Sequence, residues 1–435
     1  MSVLCVFITL FSCFFLVVST EDVLCPPGAP FGCRCRKILD ETRTECKNKY
    51  TITDIPSWIP NNTNQLEFEN CDIRILHRET FKNLVNLTSI KIVKQNRRLS
   101  FNDSLVFQGL NRLSVLDFDD VNIASIPAGL FANLPLLNVV GLSNNHVVTL
   151  PVDLFENSTN VEHFRIGNTQ LNRDIIAKIG EGHFGQNIKS LLLSGTRFQL
   201  LDDGMFTSLP KLKHLAMSYC EINYIRPDIL KGTQVTHVAL DGNHILFVHE
   251  NAFRDSKVSA FLCNECKLTS QVLFSGFLKK MPLMYLIQLR NNNLTHVPKN
   301  AFSGLTKLSI IDLSNNSIAT IEENPYANLP DCDHSTCIQL RNNPLNCDCN
   351  LAWLRTFANN IKGDRTLWKC ARPRSVAGKS LVSIKIDEFC CENANSTRRC
   401  GSVPDPNNGW VVSAHMMVAI LSQIVVMFGI LLLRA

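Results

Sequence analysis

The sequence has no long basic run and carries little net charge. Its 43 Lys and Arg residues are nearly balanced by 38 Asp and Glu residues, which leaves a formal charge of +5. That balance argues against a nucleic-acid-binding protein. Charged residues make up only 19% of the chain and apolar residues 45%, so a disordered chain is excluded as well.

Cysteine, by contrast, is abundant, with 18 residues in a chain of 435. Disulfides persist only in oxidising compartments, so this number favours a secreted or cell-surface protein. A cytosolic enzyme and a nuclear factor are both disfavoured. No Ser-His-Asp or HExxH arrangement is found, and the sequence predicts no enzyme, no cofactor and no metal.

The N-terminal segment 1–20 is almost entirely apolar and contains no charged side chain. Small residues precede the acidic pair Glu21 and Asp22, which is typical of a removed signal peptide. The alternative is a retained anchor helix, for which the segment is short, since a bilayer span needs about 20 apolar residues.

The C-terminal segment 410–435 is apolar except for a few polar residues and ends on Arg434 and Ala435. Small residues, a polar spacer and an apolar tail are typical of a GPI-anchor signal. We therefore predict a lipid anchor on the extracellular face of the plasma membrane, attached at Gly401 or alternatively at Asn395. A single-pass transmembrane helix is the competing interpretation.

Between these ends the sequence repeats. The strings at 284–297 and 308–321 fit the pattern LxxLxLxxNxL, and the pattern recurs in twelve registers spaced by 23 to 27 residues. The position usually held by Asn falls at Cys71, Gln95, Val121, Asn145, Thr169, Thr196, Cys220, Asn243, Cys266, Asn292, Asn316 and Asn343. Such spacing predicts a curved α/β solenoid of about twelve leucine-rich repeats.

In this pattern each unit forms one short strand whose apolar residues face a shared core. The Asn position turns inward and bonds backbone groups of neighbouring coils, which keeps buried polar groups paired. Cys71, Cys220 and Cys266 are therefore predicted to be buried thiols at this ladder position, and Cys263 a thiol in the core. A zinc site at Cys263 and Cys266 is the alternative, although no second pair of ligands lies nearby.

Cysteine clusters flank the repeats on both sides. CPPGAPFGCRC near the start and NPLNCDCNLAWLRTF near the end resemble the cysteine-rich caps of extracellular leucine-rich repeat proteins. That family includes Slit, Toll-type receptors, the Nogo receptor and variable lymphocyte receptors. The resemblance covers roughly residues 25–392 and implies cap disulfides Cys25–Cys35, Cys33–Cys46, Cys347–Cys370 and Cys349–Cys390.

Six further cysteines remain, of which Cys5 and Cys13 lie in the predicted signal peptide. Cys332 and Cys337 lie five residues apart and are predicted to pair, as are Cys391 and Cys400, although sequence alone leaves the choice between Cys390 and Cys391 open. Seven sequons predict N-glycosylation. They begin at Asn61, Asn86, Asn102, Asn157, Asn293, Asn315 and Asn395.

These features give a linear domain organisation. It comprises a signal peptide (1–20), an N-terminal cap (21–60), the repeats (61–345), a C-terminal cap (346–392), a stalk (393–409) and the apolar tail (410–435). A GxGxxG string at Gly180, Gly182 and Gly185 lies away from the predicted strands and lacks the context of a nucleotide site. We interpret it as a surface loop.

The outward residues of the strands define the predicted ligand-binding face. The middle repeats combine small residues with the side chains that we expect to bind an extracellular protein or glycan. These are His163, Arg165, Leu192, His214, Tyr219, His237, Asp241 and Leu262. The competing site is an acidic end at Glu67, Glu69, Asp117 and Asp119. The three histidines also predict binding that changes between pH 7.4 and 5.5.

The sequence thus predicts a non-enzymatic recognition or adhesion receptor, GPI-anchored and signalling, if at all, through a co-receptor. A single-pass membrane co-receptor is one alternative. A structural surface-coat or matrix protein without a discrete ligand is the other, and glycans spread over the strands would favour it.

Overall fold

The fold is known from a computed structural model. It describes residues 20–23, 25–171, 174–181, 183–322, 338–360, 365–392 and 398–400.

One sheet of fifteen strands runs the length of these residues and confirms the predicted solenoid. Three strands at its start belong to the N-terminal cap, and each of the next twelve belongs to one repeat. The cap strands are Thr20–Val23, Cys33–Ile38 and Glu41–Lys47. Repeats 1 to 12 contribute Gln65–Glu69, Ser89–Val93, Val115–Asp117, Val139–Gly141, His163–Arg165, Ser190–Leu192, His214–Ala216, His237–Ala239, Ala260–Leu262, Leu286–Gln288, Ile310–Asp312 and Ile338–Gln339.

Neighbouring repeats pair in parallel and in one register. Glu67 lies opposite Lys91, and Asp117 lies opposite Gly141. Because alternate residues of a strand point to opposite faces, every repeat sends its LxL residues into the core and the residue between them outward. Leu66 is 1% exposed as a result, and the sheet presents one continuous outward face, the concave face of the horseshoe.

The ladder position carries the hydrogen bonds that the pattern predicts. Asn145 Oδ1 accepts from the backbone N–H of Ile123 at 2.9 Å, and its Nδ2 donates to the Phe118 carbonyl at 2.8 Å. Cys220, which replaces Asn in repeat 7, donates its thiol to the Leu193 carbonyl at 3.3 Å. Burial raises the pKa of this thiol to about 12, so it stays protonated at the ladder.

The residue just before the ladder position has a left-handed backbone in all twelve repeats. Asn, Asp and Gly tolerate that conformation best and occupy nine of these positions. Lys94, Tyr219 and Glu265 are the exceptions. The conformation turns the chain out of the strand and into the next side of the coil.

The outer sides of the coil consist mainly of turns with a few short elements. The short strands are Ile75–Leu76, Ser100–Phe101, Leu200–Leu201, Tyr224–Ile225, Phe247–Val248, His296–Val297 and Thr320–Ile321. The α-helices in the repeats are Ile175–Glu181 and Ser270–Phe274, and the 3-10 helices are His183–Asn187 and Phe277–Lys280. A stack of Phe81, Phe107, Phe131 and Phe155 fills the core behind the first repeats, with ring centroids 5.5 to 5.9 Å apart.

The glycine string predicted to be a loop is instead largely helical. Gly180 lies in the helix Ile175–Glu181, and Gly185 lies in the following 3-10 helix. A Cβ on Gly180 would collide with the Ser208 side chain, and one on Gly185 with the Ile179 carbonyl. Close packing therefore accounts for both glycines, against the next coil at Gly180 and against the preceding helix of the same coil at Gly185. Gly182 lies outside the described residues.

Disulfides are present in both caps. The structure contains Cys25–Cys35 and Cys33–Cys46 at the N-terminal end and Cys347–Cys370 at the C-terminal end, which are pairs that the family resemblance implies. Cys349 and Cys390 are each disulfide-bonded too. The C-terminal cap comprises the strands Leu345–Asn346, Cys370–Arg372, Cys390–Glu392 and Arg398–Cys400, the α-helix Ala352–Asn360 and the 3-10 helices Cys349–Leu351, Leu381–Ser383 and Ile386–Glu388.

The prediction of four buried thiols was wrong for two of them. Cys263 and Cys266 form a disulfide, whereas Cys71 and Cys220 are free and buried. The last LxL position and the ladder position both point into the core, and here their Cα atoms are 5.5 Å apart, within reach of a disulfide. The same bond overturns the zinc alternative, since neither sulfur is a thiolate.

Several predicted features lie outside the described residues. They are residues 1–19 of the predicted signal peptide, the Cys332–Cys337 pair, the side chains of Cys391 and Cys400, the sequon at Asn395, the anchor site Gly401 and the apolar tail. No helix in the described part of the chain has the length and apolar character needed to cross a membrane.

Candidate recognition surface

The outward face of the sheet divides into two regions of different chemistry. Repeats 1 to 5 carry charged side chains that bond one another, and we call this region the charged half. It comprises Arg43 and Lys47 of the cap with Glu67, Glu69, Lys94, Asp117, Asp119 and Arg165. Repeats 6 to 11 carry a contiguous cluster of apolar residues bordered by polar ones, and we call this region the apolar half.

The acidic end predicted as a competing site is not an open acidic patch. Glu67 forms an ion pair with Arg43 and lies 3.3 Å from Lys47 Nζ. Glu69 bonds both Lys47, at 3.0 Å, and Lys94, at 2.7 Å. The Lys94 hydrogen bond, with help from Lys47, lowers the pKa of Glu69. The cap and the neighbouring repeats therefore supply most of the cations that a basic ligand would otherwise provide.

Arg165 is committed to the same network. Its Nη2 lies 2.9 Å from Asp117 Oδ2 and 3.4 Å from Asp119 Oδ2, although Asp117 is two strands away. Gly141 lies between Asp117 and Arg165 in the sheet register. A Cβ there would collide with Arg165 Nη2 and lie 2.8 Å from Asp117 Oδ1. Because Gly141 has no side chain, the Arg165 guanidinium can reach the Asp117 carboxylate across the intervening strand.

The cluster is electrostatically unusual because two carboxylates share one cation. Burial and, next, the charge of Asp117 raise the pKa of Asp119 to about 6, against the opposing effect of Arg165. Asp119 Oδ1 also accepts from the backbone N–H of Ser143 at 2.7 Å. The side chains of this cluster are therefore bonded to one another, and Asp119 takes up a proton at a higher pH than an ordinary aspartate.

The apolar half is built from two neighbouring columns of the sheet. Its side chains contact one another and form what we call the apolar strip. The strip comprises Leu192, Ala216, Ala239, Ala260, Leu262, Leu286 and Ile310. Leu262 is only 5% exposed because its neighbours across the register, Ala239 and Gln288, pack beside it. Alanines in the centre leave space above the sheet for a partner's side chain.

The three predicted histidines occupy one column bordering the strip. His214 and His237 lie opposite each other on adjacent strands, with ring centroids 4.9 Å apart, and His163 lies two strands before His214. Burial lowers the pKa of all three, that of His214 to about 4 with a further contribution from His237. His214 therefore stays neutral between pH 7.4 and 5.5, which contradicts the pH switch expected of it.

The remaining predicted residues lie on the other side of the strip. Asp241 accepts from the Asn264 backbone N–H at 2.7 Å, and burial raises its pKa. Tyr219 is not on the sheet face. It lies in the turn after the strand of repeat 7, on the edge of the solenoid, where it is 62% exposed. The structure thus places Leu192, Leu262 and the histidines on one face. Arg165 lies opposite Leu192 on that face but is paired with Asp117 and Asp119, and Tyr219 lies off the face.

The sequons leave the strands clear. None of the six sequon asparagines in the described part of the chain lies in any of the twelve repeat strands. Asn61 and Asn86 precede strands of repeats 1 and 2 and touch through a 3.5 Å hydrogen bond. Asn315 follows the strand of repeat 11 and accepts from Asn342 Nδ2 at 2.6 Å.

The sequence interpretation missed two parts of this surface. It named the histidines of one outward column but not the apolar residues that continue the same column, so it omitted Ala260, Leu286 and Ile310. It also missed Gly141 as the gap that Arg165 crosses. The signal that identifies it is a glycine between an aspartate and an arginine at the same position of three successive repeats.

Comparison with known proteins places the chain in a family. The family described as "Leucine rich repeat" matches residues 186–245 and 282–345, and the family described as "BspA type Leucine rich repeat region (6 copies)" matches residues 58–175. Together these matches cover more than half of the chain. The protein belongs to the leucine-rich repeat family, as the resemblance implied.

Its relatives are larger extracellular-type repeat proteins. The rat "Leucine-rich repeat and fibronectin type-III domain-containing protein 4" is 29% identical over 31% of this chain and 24% of its own length. The rat "Leucine-rich repeat transmembrane protein FLRT2" is 22% identical over 65% of this chain and 35% of its own. The chain thus corresponds to well under two thirds of either protein.

Among solved structures, the Drosophila Toll–Spatzle complex matches with a TM-score of 0.57 and 19% identity. The match covers 81% of this chain and 52% of the other. At that identity the likeness concerns the fold, and it confirms a solenoid of the Toll ectodomain type.

Among the described residues, no group of three His, Cys, Asp or Glu side chains is arranged to hold a metal ion.

Proposed function

We propose that this protein is a cell-surface recognition or adhesion receptor whose apolar strip binds an extracellular protein. It is non-enzymatic, tethered by a GPI anchor at Gly401, and signals, if at all, through a co-receptor. The binding site comprises the strip together with the bordering His163, His214 and His237 and the polar column at Asp241. A glycan is the second class of ligand for the same face.

One observation carries this proposal. An apolar strip lies in the middle of a sheet face that is polar on both sides and free of sequons on its strands. Protein interfaces have this anatomy, with an apolar centre and a polar rim. A structural coat protein has no need of such a centre. The charged half contributes less, because its ion pairs must be broken before it can bind a partner.

The test is a binding screen on cells that display the full-length chain, followed by substitution within the strip. Ala239→Glu places a charge in the centre of the strip and should abolish binding of any protein ligand found. Ala128→Glu is the matched control, since Ala128 is exposed in an outer turn away from the sheet. Equal binding by both variants would contradict the proposed site.

The anchor is tested separately. Phosphatidylinositol-specific phospholipase C should release the protein from cells if the C-terminal segment is a GPI signal. Retention of the protein, while a known GPI-anchored protein is shed, would favour the single-pass helix instead.

A further inference from the structure

A shallow cleft of about 350 Å³ lies on the edge of the solenoid that follows the strands, across repeats 7 to 9. It is separate from the apolar strip. The cleft is lined by Tyr219, Glu221, Asn223, Gly242, Asn243, His244, Glu265 and Lys267.

The cleft exists because repeat 8 has glycine where its neighbours have large side chains. Tyr219 of repeat 7 and Glu265 of repeat 9 flank Gly242 at the same position of the repeat. The Tyr219 ring lies over Gly242, where a Cβ would collide with it. Gly242 thus forms the bottom of the cleft, and the exposed Tyr219 ring forms one of its sides.

Backbone strain is concentrated around this cleft. Seven described residues other than Gly, Asn and Asp have a left-handed backbone: Leu39, Lys94, Gln199, Tyr219, Glu221, Glu265 and Lys267. Four of the seven line the cleft. Bulky side chains are disfavoured in this conformation, and Asn or Gly at the same positions would avoid the cost. Strained residues of this kind tend to cluster at ligand sites.

The charges of the cleft are balanced. Glu221 pairs with Arg197, with 3.1 Å between Oε1 and Nε. Glu265 accepts a hydrogen bond from Asn291 at 3.3 Å, and the Lys267 ammonium offsets its charge within the cleft. With histidine counted as neutral, the lining residues carry a net charge of −1, and Arg197, which pairs with Glu221 from outside the lining, brings the local charge to zero. Neither a cationic nor an anionic ligand is favoured, whereas donors and acceptors are both present.

We propose that this cleft binds a neutral pyranose sugar. The C–H groups of a pyranose ring can pack on the negative face of Tyr219. Its hydroxyls can donate to Glu265 and accept from Lys267 and the Asn223 amide. This site is distinct from the protein-binding strip, so either assignment can fail without the other.

Two sources of sugar fit this chemistry. One is a glycan on another molecule. The other is the chain's own glycan at Asn293, whose backbone pairs with Thr269, two residues after Lys267. Asn293→Gln removes the second source, and Asn157→Gln, on the opposite edge, is its control.

The experiment measures saturation-transfer NMR on the purified full-length chain in a non-glycosidic detergent. The probes are methyl α-D-mannopyranoside, N-acetylglucosamine and methyl β-D-galactopyranoside, with N-acetylneuraminic acid and arginine methyl ester as charged alternatives. At least one neutral sugar should show transfer, and Tyr219→Ala should weaken it about tenfold, a typical loss for an aromatic anchor. Gly242→Val should do the same by displacing the ring.

Tyr224→Ala provides the matched control, because Tyr224 is also exposed, at 48%, but lies outside the cleft. It should leave sugar binding unchanged. Transfer that appears only in the Asn293→Gln variant supports the proposal with the protein's own glycan as the natural occupant. Transfer to arginine methyl ester or N-acetylneuraminic acid alone, or equal loss in the Tyr219 and Tyr224 variants, would overturn it. So would the absence of sugar transfer in every variant.

Discussion

The charged half and the apolar half of the sheet share one backbone geometry but differ in how their outward side chains are stabilised. In the charged half, Arg165 crosses Gly141 to reach two carboxylates. In the apolar half, Leu262 packs among alanines with no polar partner required. A parallel sheet with one register thus supports either chemistry, and the repeat backbone does not determine where a ligand binds.

The two halves also differ in whether their side chains are better suited to stabilising the fold or to binding a partner. Charges bonded to one another must be released before they can contact a partner, and that release costs desolvation and lost pairing. An apolar surface has no internal partner to lose. The apolar strip is therefore the better candidate for binding, and the charged half is the better candidate for holding the first repeats to the cap.

The largest effect is expected from Arg165→Leu. Removing the shared cation leaves Asp117 and Asp119 facing each other, which should lower the free energy of unfolding by about 2–3 kcal/mol. The control is Lys94→Met, since the Lys94 side chain is 64% exposed and solvent screens its pair with Glu69, so that its loss should change stability far less. Urea denaturation of the purified full-length chain at pH 7 measures both. Equal losses would mean that the charged half is only a set of surface pairs.

The two halves should respond to pH with opposite signs. For Asp119 the folded pKa is raised, so the folded state binds the proton more tightly than the unfolded state. Its contribution therefore grows as pH falls from 7 towards 4, by up to about 2 kcal/mol. Asp119→Asn should remove this gain, seen as a flatter plot of unfolding free energy against pH. An unchanged slope would show that Asp119 titrates normally.

His214, at the border of the apolar half, should behave in the reverse way. Its folded pKa is lowered to about 4, so the unfolded state binds the proton more tightly. Stability from this group is present above pH 6.5 and is lost as pH falls towards 4, by about 2 kcal/mol. His214→Gln should reduce that acid loss. If the variant and the parent lose stability equally between pH 7 and 4.5, burial of the imidazole is not the cause.

Adding a side chain should distinguish the halves again. Gly141→Val places atoms in the path of Arg165 and should cost about 1–2 kcal/mol, because the cluster must rearrange. Ala239→Val, in the apolar strip, adds apolar volume above the sheet and should change stability by less than about 0.5 kcal/mol. Thermal unfolding of the two variants side by side tests this, and a larger loss at Ala239 would reverse the comparison.

The smallest expected effect is a gain. Tyr219 is left-handed at the edge beside the apolar half, and Asn accepts this conformation more readily. Tyr219→Asn should therefore stabilise the fold by about 0.5–1 kcal/mol. Tyr224→Asn, the same change on a strand, should give no gain. A loss of stability in the Tyr219 variant would mean that the ring contributes packing that outweighs its backbone strain.

Much of this architecture could be predicted because the repeat is local. Leu, Ile and Asn recur at fixed spacing, so the strand, the core residues and the ladder position of each coil can be predicted from the sequence. The register of the outward column, from Glu67 to Gln339, therefore follows from the sequence alone. The cap cysteines were predictable for a different reason, since their pairs follow from resemblance to other capped repeat proteins.

Tertiary structure decided what depends on contacts between coils. Cys263 and Cys266 look like two ordinary core thiols until the turn brings their Cα atoms to bonding distance. In the sequence Arg165 has the features of a binding residue, whereas in the structure it extends past Gly141 and pairs with Asp117, two strands away. The pKa of His214 depends on burial and on His237 from the next coil. A sequence pattern specifies which way each side chain points, whereas the partner it meets there is contributed by a residue some 24 positions away.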